Sequence, residues 1–449
     1  MNKKKILVVG GGFRGIVVAD KLRKSNKVDL VEKLPYLGGI LYSEKWNGFY
    51  LDKGIHIFDN TNDSDTKLIQ KILKNKYLKI SVKYGSRITN QTSDVVAIPD
   101  FTTLNDDLQI KIARELFKCT FTKKNSKNLH EFLLNNFGKT AGKYFINAAK
   151  KYFAIDPKEL SPDAYRNHPV SRGRFFNNEI TSFLKNFEEF ESKIALPVEN
   201  DPMQWHEEVS DKSYRYFYPV KKGLRGFSDD AIEYLKRMNV SVSTNIVLDT
   251  IKQKQEKLFC SFSDGTEKIY DNIVWTTNPI NLLKLISKTK SSTSSGVHFV
   301  PMIIFYYVVD LNKINNFTYI QDFTPDTIAL RGAVTGLLGK QIINNKTYID
   351  VEVPTKIGSK IWLHPEQFYE RIWNDVVKMG LVKGKMPNTK KFVKAPFSFR
   401  APKKNFYKNN KSLENKIKNF SNKIILMEQE NAQMFKILQS LNKTKILRD

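Results

Sequence analysis

The chain has 449 residues, of which 73 are Lys or Arg and 46 are Asp or Glu, giving a formal net charge of +27. A hydrophobic share of 41% is ample for packed cores, yet no stretch reaches the roughly 18 uninterrupted apolar residues that a transmembrane helix needs. Two cysteines are too few for a disulfide framework and fit a reducing compartment.

The excess of positive charge favours anionic partners such as a nucleotide sugar, a membrane surface or a nucleic acid. The basic residues are dispersed, as on any solvated surface, and no nucleic-acid-binding motif accompanies them. We therefore expect a small anionic substrate and no nucleic-acid partner. Peripheral membrane association and the oligomeric state stay open.

Several classes of site are absent from the sequence. No Cys or His cluster has metal-ligand spacing, so no metal is expected. No Ser/His/Asp elbow and no P-loop lysine occurs, which removes the hydrolase and kinase classes. The apolar run after Lys5 ends at Gly10, short of the roughly 7–15 residues of a signal peptide, so a cytoplasmic location is expected.

A strand, a glycine turn and a helical pattern open the chain. Residues 6–9 are apolar and rich in β-branched side chains, which predicts a buried parallel strand. The motif G-x-G-x-x-G follows, with its glycines at Gly10, Gly12 and Gly15. In this motif the first glycine allows a tight turn, the second lets a pyrophosphate approach the backbone, and the third lets helix and strand pack closely. The helix N-terminus offers N–H groups to the phosphates.

A second predicted strand, residues 28–31, ends in Glu32, which lies 17 positions after Gly15. A carboxylate at this spacing can accept hydrogen bonds from both ribose hydroxyls of a dinucleotide. The strand, the helix and the spaced acid together predict dinucleotide binding. The other candidate contacts in these segments are Phe13, Arg14 and Lys33.

The next segment indicates which dinucleotide the chain binds. Lys33 is followed by the pair Gly38-Gly39, and residues 54–58 read Gly-Ile-His-Ile-Phe. These features resemble the FAD-binding superfamily of amine oxidases, protoporphyrinogen oxidase and UDP-galactopyranose mutase, and the second segment looks most like the mutase. The resemblance implies FAD held without a covalent link, since no His or Cys stands where such a link is expected. It also implies cofactor contacts from Gly38, Gly39, Gly54 and Ile57, and a catalytic position for His56 against the flavin ring.

The resemblance implies an α/β fold: a Rossmann-like FAD-binding domain with an inserted helical domain and an antiparallel-sheet substrate domain. We expect the following segments: 1–100 FAD-binding part, 101–175 helical domain, 176–217 insertion of unclear role, 218–285 return to the FAD-binding domain, 286–420 substrate domain, and 421–449 a closing strand and helix.

Candidate substrate contacts also come from the resemblance. Phe153 falls where the family has a Trp near the sugar. The segment 168–175 resembles a Pro-Val-Arg segment that grips the diphosphate, with one inserted residue, so Arg172 and Arg174 compete for that role. Tyr306 and Arg331 are candidates because a ring stacks on uracil and a guanidinium neutralises phosphate. An exposed basic turn and ordinary sheet residues are the alternative interpretations.

The C-terminus departs from the family pattern. Residues 423–426 predict the closing strand, and a helix is expected over 432–441. The family follows the strand with Gly-Gly-Arg or Gly-Asp, whereas residues 427–432 contain neither Gly nor Arg. Glu428 and Glu430 stand in this stretch and would repel a pyrophosphate.

Three functions remain open. The first is a mutase that interconverts pyranose and furanose forms of a nucleotide sugar in surface-polysaccharide biosynthesis, with no net redox change. The second is a FAD-dependent oxidoreductase of the amine oxidase or protoporphyrinogen oxidase type. The third is a non-catalytic protein that keeps the fold. His56 favours the first, and the missing C-terminal motif favours the second or third.

Overall fold

The computed structural model describes residues 3–60, 62–120, 125–165, 169–197, 209–287, 296–427, 437–438 and 440–441. The chain forms two compact units. Unit 1 comprises Met1–Ile80, Trp205–Ser295 and Tyr407–Asp449, and unit 2 comprises Ser81–Gln204 and Gly296–Phe406.

Both units contain strands and α-helices. The strands are β1 Lys5–Val9, β2 Lys27–Glu32, β3 Glu44–Trp46, β4 Phe49–Leu51, β5 Phe58–Asp59, β6 Tyr77–Ile80, β7 Tyr84–Arg87, β8 Thr92–Ser93, β9 Tyr216–Pro219, β10 Ser241–Thr244, β11 Leu248–Lys254, β12 Lys257–Phe262, β13 Glu267–Tyr270, β14 Asn272–Trp275, β15 Val297–Asp310, β16 Tyr319–Asp322, β17 Arg331–Ala333, β18 Lys346–Pro354, β19 Lys390–Pro402 and β20 Ile424–Leu426. The α-helices are α1 Phe13–Leu22, α2 Asp63–Ile72, α3 Asp106–Thr120, α4 Leu129–Phe153, α5 Asn178–Leu184, α6 Glu188–Glu191, α7 Arg225–Arg237, α8 Pro279–Ile286, α9 Thr335–Leu338, α10 Lys360–Leu363, α11 Tyr369–Lys378 and α12 Phe406–Phe420.

Unit 1 is built on a parallel sheet with the strand order β10-β2-β1-β14-β20. Its central strand is apolar along most of its length because both faces are buried, and Ile6, Leu7 and Val8 are at most 1% exposed. The predicted strands β1 and β2 and the helix α1 between them are confirmed. The predicted closing strand is also confirmed: β20 lies parallel to β14.

Residues 240–276 contain five strands, β10 to β14. Asn245 has φ of +57°, a conformation that ends an extended run, and this residue separates β10 from β11. A turn at Gly265, which has φ of +79°, joins β12 and β13.

Unit 2 combines helices with a mixed sheet in the order β19-β15-β18-β17-β16-β7-β8. One face of this sheet is apolar and packs against α11 through residues such as Ile372, Trp373 and Val376. Helix α4 is interrupted at Gly138, whose φ of +81° is non-helical. Lys151 near the end of α4 donates to Thr327 Oγ1 at 2.7 Å and pairs with Asp322 at 3.4 Å, which ties α4 to the β16–β17 connection.

The fold class is confirmed, an α/β architecture with a Rossmann-like part and a further sheet. The first FAD-binding segment was expected to end at residue 100. In the structure, β7 already pairs with β16, and both strands belong to unit 2. The stretch 176–217 divides between the units: α5 and α6 belong to unit 2, and β9 belongs to unit 1. Glu428, Glu430 and most of the helix expected over 432–441 lie outside the described residues.

Candidate functional site

The glycine loop between β1 and α1 contains three different steric environments. Gly10 has φ of +104°, and a Cβ there would lie 2.3 Å from Thr277 Cγ2. A Cβ on Gly15 would lie 1.8 Å from the carbonyl oxygen of Gly10. By contrast, no atom lies within 4 Å of a Cβ on Gly12. The fold itself therefore requires glycine at Gly10 and Gly15, whereas the space beside Gly12 can admit a ligand.

The N-terminus of α1 has the features of an anion-binding site. Gly12 is the N-cap and has no side chain to bond the first-turn N–H groups, and no acidic residue lies in that turn. Those N–H groups point out of the helix at the positive end of its dipole. Phe13 is buried against Phe227 at a ring-centroid distance of 5.9 Å, while the neighbouring Arg14 is partly exposed. Phosphate groups are the ligands that such a terminus suits.

The second glycine pair lies against the first glycine loop. The Gly38 N–H donates to the carbonyl oxygen of Gly11 at 2.7 Å, and Gly38 forms a parallel bridge with Gly12. Gly38 and Gly39 have φ of +96° and +63°, and a Cβ on Gly39 would lie 3.5 Å from Gly12 Cα. The fold thus brings both predicted cofactor segments to the open side of Gly12.

Glu32 ends β2 beside the same loop and is 8% exposed. One carboxylate oxygen accepts from the Gly11 N–H at 2.6 Å, and the other accepts from the Leu34 N–H at 2.9 Å. These bonds fix the carboxylate, and each oxygen keeps a further lone pair that a ribose hydroxyl can use. Lys33 is exposed to solvent.

The segment that carries His56 is anchored by its buried end. Phe58 is fully buried and packs on Phe13 and Phe227, with ring centroids 6.3 and 5.2 Å away. His56 and Ile57 are partly exposed. His56 Nδ1 lies 3.1 Å from the carbonyl oxygen of Gly54, which has φ of +85°. A hydrogen bond to that oxygen requires the proton on Nδ1, so Nε2 of the neutral ring is an acceptor.

Asp52 is a buried carboxylate that the sequence analysis did not identify. It accepts from Ser43 Oγ at 2.5 Å, from the Leu224 N–H at 3.2 Å and from the Tyr218 hydroxyl. Burial raises the pKa of Asp52 to about 6. These bonds join the start of the His56 segment to the β9–α7 connection. The one sequence signal is a carboxylate between an apolar strand and Gly54.

Two candidate arginines of unit 2 differ in how firmly they are paired. Arg174 Nη1 donates to Thr102 Oγ1 at 2.7 Å and to Asp100 at 3.1 Å, and the Asp100 side chain is only 2% exposed. Arg172 lies 3.6 Å from Glu191, and both side chains are more than a third exposed. Arg174 is therefore held by a buried pair, whereas solvent screens the pair of Arg172.

Arg331, the third candidate arginine, is paired with a carboxylate that sequence reasoning missed. Its Nη2 donates to Glu352 Oε1 at 2.6 Å, and Glu352 is 2% exposed. Burial disfavours the charged guanidinium, but the charge and hydrogen bond of Glu352 raise the pKa of Arg331 above its usual range. Burial raises the pKa of the nearby Tyr152 hydroxyl, while the Arg331 charge lowers it and the Glu352 charge raises it. Glu352 alternates with Val351 and Val353 in β18, a pattern that predicts a strand but not a partner for Arg331.

Arg331 and Glu352 belong to a polar row on the sheet face opposite the one that packs on α11. Strand register places Ser86 beside Gln321, Gln321 beside Arg331, and Arg331 beside Glu352. Within the described residues, four buried atoms of this row have no hydrogen-bond partner: Ser86 Oγ, Gln321 Oε1, Arg331 Nε and Glu352 Oε2. Since buried polar atoms are nearly always paired, this row is a candidate face for binding a ligand or ordered water. It crosses four strands, or about 14 Å.

Tyr306 and Phe153 lie in different surroundings from each other. Tyr306 is 1% exposed and stands beside Asp350, in the register position next to the polar row. Phe153 is 0% exposed and belongs to the apolar core of unit 2, so its ring is not placed to face a ligand. Its neighbour Tyr152 is the aromatic residue near Arg331, and it stacks on Phe399 at 4.5 Å.

Two kinds of feature are absent from the part of the chain that the structure describes. No group of three or more His, Cys, Asp or Glu side chains there could hold a metal ion. None of the helices described combines the length and apolar character needed to cross a membrane.

Sequence comparisons identify relatives of part of the chain. A family model for the NAD(P)-binding Rossmann-like domain matches residues 8–74. A protein of Klebsiella pneumoniae assigned as UDP-galactopyranose mutase is 22% identical over 235 residues, which are 49% of this chain and 58% of that protein. The chain therefore aligns with less than two thirds of the mutase. An uncharacterised protein from the nifH2 3′ region of Methanothermococcus thermolithotrophicus is 34% identical over 83 residues, or 18% of this chain and 78% of that protein.

Solved structures share the whole architecture. The crystal structure of reduced UDP-galactopyranose mutase superposes with a TM-score of 0.73 at 14% identity, covering 95% of this chain and 88% of the mutase. A protein from Exiguobacterium sp. 255-15 assigned as protoporphyrinogen oxidase superposes with a TM-score of 0.66 at 14% identity, covering 100% of both chains. At these identities the likeness shows the fold.

Proposed function

We propose that this chain, which belongs to the same family as the uncharacterised Methanothermococcus protein and has the fold of UDP-galactopyranose mutase, is a FAD-dependent enzyme. The observation that carries the proposal is the meeting of two glycine segments at the N-terminus of α1. Gly38 bridges to Gly12, and the space where a Gly12 Cβ would stand is empty of protein atoms. A pyrophosphate would accept from the first-turn N–H groups of α1, and Glu32 would bind the ribose.

The FAD would be held without a covalent bond. Burial raises the pKa of the Cys260 thiol to about 12, so it is not a nucleophile at neutral pH. When bound, the flavin supplies the electron-transfer or nucleophilic chemistry of the reaction. His56, whose Nε2 is an acceptor, would accept a hydrogen bond from the flavin or from a substrate hydroxyl.

For the substrate we favour a nucleotide sugar, with pyranose–furanose isomerisation as the reaction. The polar row presents hydroxyl, amide, guanidinium and carboxylate groups in sequence, and these suit the hydroxyls of a sugar. Taking Arg331 or Arg174 from its buried carboxylate would cost about 3–5 kcal/mol. Releasing Arg172 from its exposed pair costs about 0–1 kcal/mol. Arg172 is therefore the arginine we assign to the diphosphate.

The deciding experiment is purification followed by an absorbance spectrum, then incubation with UDP-galactose with and without dithionite. A flavin spectrum, and a furanose product that forms only with the reductant, are the expected results. A colourless folded protein that takes up no added FAD would refute the cofactor. Without His56 the isomerisation should fall, so His56→Ala tests the catalytic assignment separately.

The arginine assignment is tested by titrating UDP while flavin fluorescence is followed. Arg172→Ala should weaken UDP binding by about tenfold to a hundredfold, because one charge-assisted pair contributes about 1.5–3 kcal/mol. Lys378→Ala is the control, since this exposed cation lies on α11 and away from the polar row. Unchanged affinity in Arg172→Ala would mean that the diphosphate lies elsewhere or that the ligand is not a nucleotide.

An oxidoreductase is the second candidate, and one observation favours it. Glu352 Oε2 is buried and has no hydrogen-bond partner among the described residues, so it could accept from an amine as well as from a hydroxyl. An oxidase would consume oxygen in proportion to product and need no added reductant. Oxygen consumption with an amine substrate would therefore assign the protein as an oxidoreductase and rule out the mutase reaction.

A further inference from the structure

One rim of the seven-stranded sheet in unit 2 exposes large apolar side chains. Phe397, Ile357 and Leu363 are 70%, 62% and 56% exposed. They are three of the four most exposed large apolar side chains in the part of the chain that the structure describes. Single exposed apolar residues are ordinary, but several at one rim indicate an interaction surface.

Phe397 lies where the pairing of β15 with β19 is irregular. The register shifts between Val300 and Met302, and Met302 lies opposite Ala395. Phe397 follows two residues later, and its ring centroid is 5.6 Å from that of Phe299 in an edge-on contact. The bulged strand thus directs Phe397 outward at the beginning of β15.

Ile357 and Leu363 belong to the segment that follows β18 at the same end of the sheet. The Thr355 N–H donates to the Pro301 carbonyl oxygen at 2.9 Å, which fixes this segment beside β15. Thr355 Oγ1 and Ser359 Oγ are 2.8 Å apart, and the Leu363 N–H donates to the Ser359 carbonyl oxygen at 2.9 Å. Ile357 and Leu363 therefore stand on a pinned loop and a short helix.

Cationic side chains surround these apolar positions. Lys356, Lys360 and Lys394 are all exposed. The Lys394 Nζ lies 5.7 Å from the centre of the Trp362 ring, so β19 and α10 are neighbours. None of the three lysines forms an ion pair with a carboxylate of the described residues. Their positive charge is therefore available to an anionic partner.

We propose that this rim docks on an anionic lipid surface. The docking rim is defined as Lys356, Ile357, Lys360, Leu363, Lys394 and Phe397. Apolar tips insert at the boundary of headgroups and acyl chains, and lysines beside them bind anionic headgroups. A nucleic acid would use the lysines and the ring of Phe397 but has no site for the aliphatic tips of Ile357 and Leu363.

A second exposed apolar patch provides a matched control. Phe183 is 63% exposed and packs edge-on against Phe187 at 5.5 Å. Glutamates accompany this patch, with Glu179 on α5 and Glu188 at the start of α6. An anionic membrane repels these carboxylates, so the patch should not insert.

The test is co-sedimentation of the full chain with phosphatidylcholine vesicles, with and without phosphatidylglycerol. We expect binding only to the anionic vesicles, weakened by added salt. Each Lys→Gln substitution at Lys356, Lys360 or Lys394 should weaken binding by about fivefold. Phe397→Ser should weaken binding as well, whereas Phe183→Ser should leave it unchanged.

Three outcomes would overturn the proposal. The first is no binding to anionic vesicles, and the second is an equal loss in Phe397→Ser and Phe183→Ser. The third is binding to polyuridylate that depends on the lysines while vesicle binding is absent. Circular dichroism of each variant checks folding and does not depend on the proposed cofactor or reaction.

Discussion

Alanine at Gly12 and alanine at Gly15 should have opposite consequences, although the two glycines belong to one motif. Gly12 has φ of −67°, which alanine adopts readily, and no atom lies within 4 Å of the added Cβ. The flavin-free Gly12→Ala protein should therefore be as stable as the wild type or more stable by about 0.4–1 kcal/mol, since alanine restricts the unfolded chain. At Gly15 the Cβ would lie 1.8 Å from a backbone oxygen, so Gly15→Ala should not reach the same folded state.

Gly12→Ala should weaken FAD binding even though it leaves the fold intact. In Gly12→Ala the methyl group occupies the space through which a pyrophosphate reaches the N-terminus of α1. Losing two charge-assisted hydrogen bonds of about 1.5–3 kcal/mol each weakens FAD binding by about two to four orders of magnitude. Thermal unfolding of the flavin-free protein gives the first quantity, and FAD titration followed by fluorescence gives the second. A Gly12→Ala protein that binds FAD like the wild type would refute the assignment of this space to the pyrophosphate.

The remaining predictions concern buried carboxylates. The pKa of Asp52 is about 6 in the folded protein and 3.8 ordinarily, so protonation of this carboxyl stabilises the folded state. That contribution to stability is fully present below about pH 4 and is lost as the pH rises through 6. Urea titrations should show wild-type stability falling by about 3 kcal/mol relative to Asp52→Asn across that range, and parallel pH profiles would contradict this. Arg331→Met should lower the free energy of unfolding by about 3–5 kcal/mol, because Glu352 is left buried without a counter-charge. The double variant Arg331→Met/Glu352→Met should recover that stability but not the activity. Equal stability of the single and double variants would show that the pair is not buried. Arg87→Met breaks the 2.8 Å pair with buried Asp322, which keeps its pair with Lys151, so it should destabilise the protein by less than Arg331→Met while FAD affinity stays unchanged. A loss of FAD affinity would contradict a purely structural role.

The sequence by itself determined the parts of this protein that depend on local rules. The G-x-G-x-x-G spacing requires a strand, a tight turn and a helix in consecutive order, and these are β1, the Gly10 turn and α1. The apolar runs at residues 28–31 and 423–426 likewise located β2 and β20, because burial imposes the same kind of pattern wherever the strand lies.

Only the tertiary structure decided which polar groups meet. Glu352 pairs with Arg331 through strand register, and Asp52 collects donors from Ser43, Tyr218 and Leu224, contacts between positions far apart in the chain. The same pairing determined which candidate arginine is held and which is available. The sequence shows which residue types are present in each segment. The partner that neutralises a charge is its neighbour in space, and the packing of the whole sheet determines that neighbour.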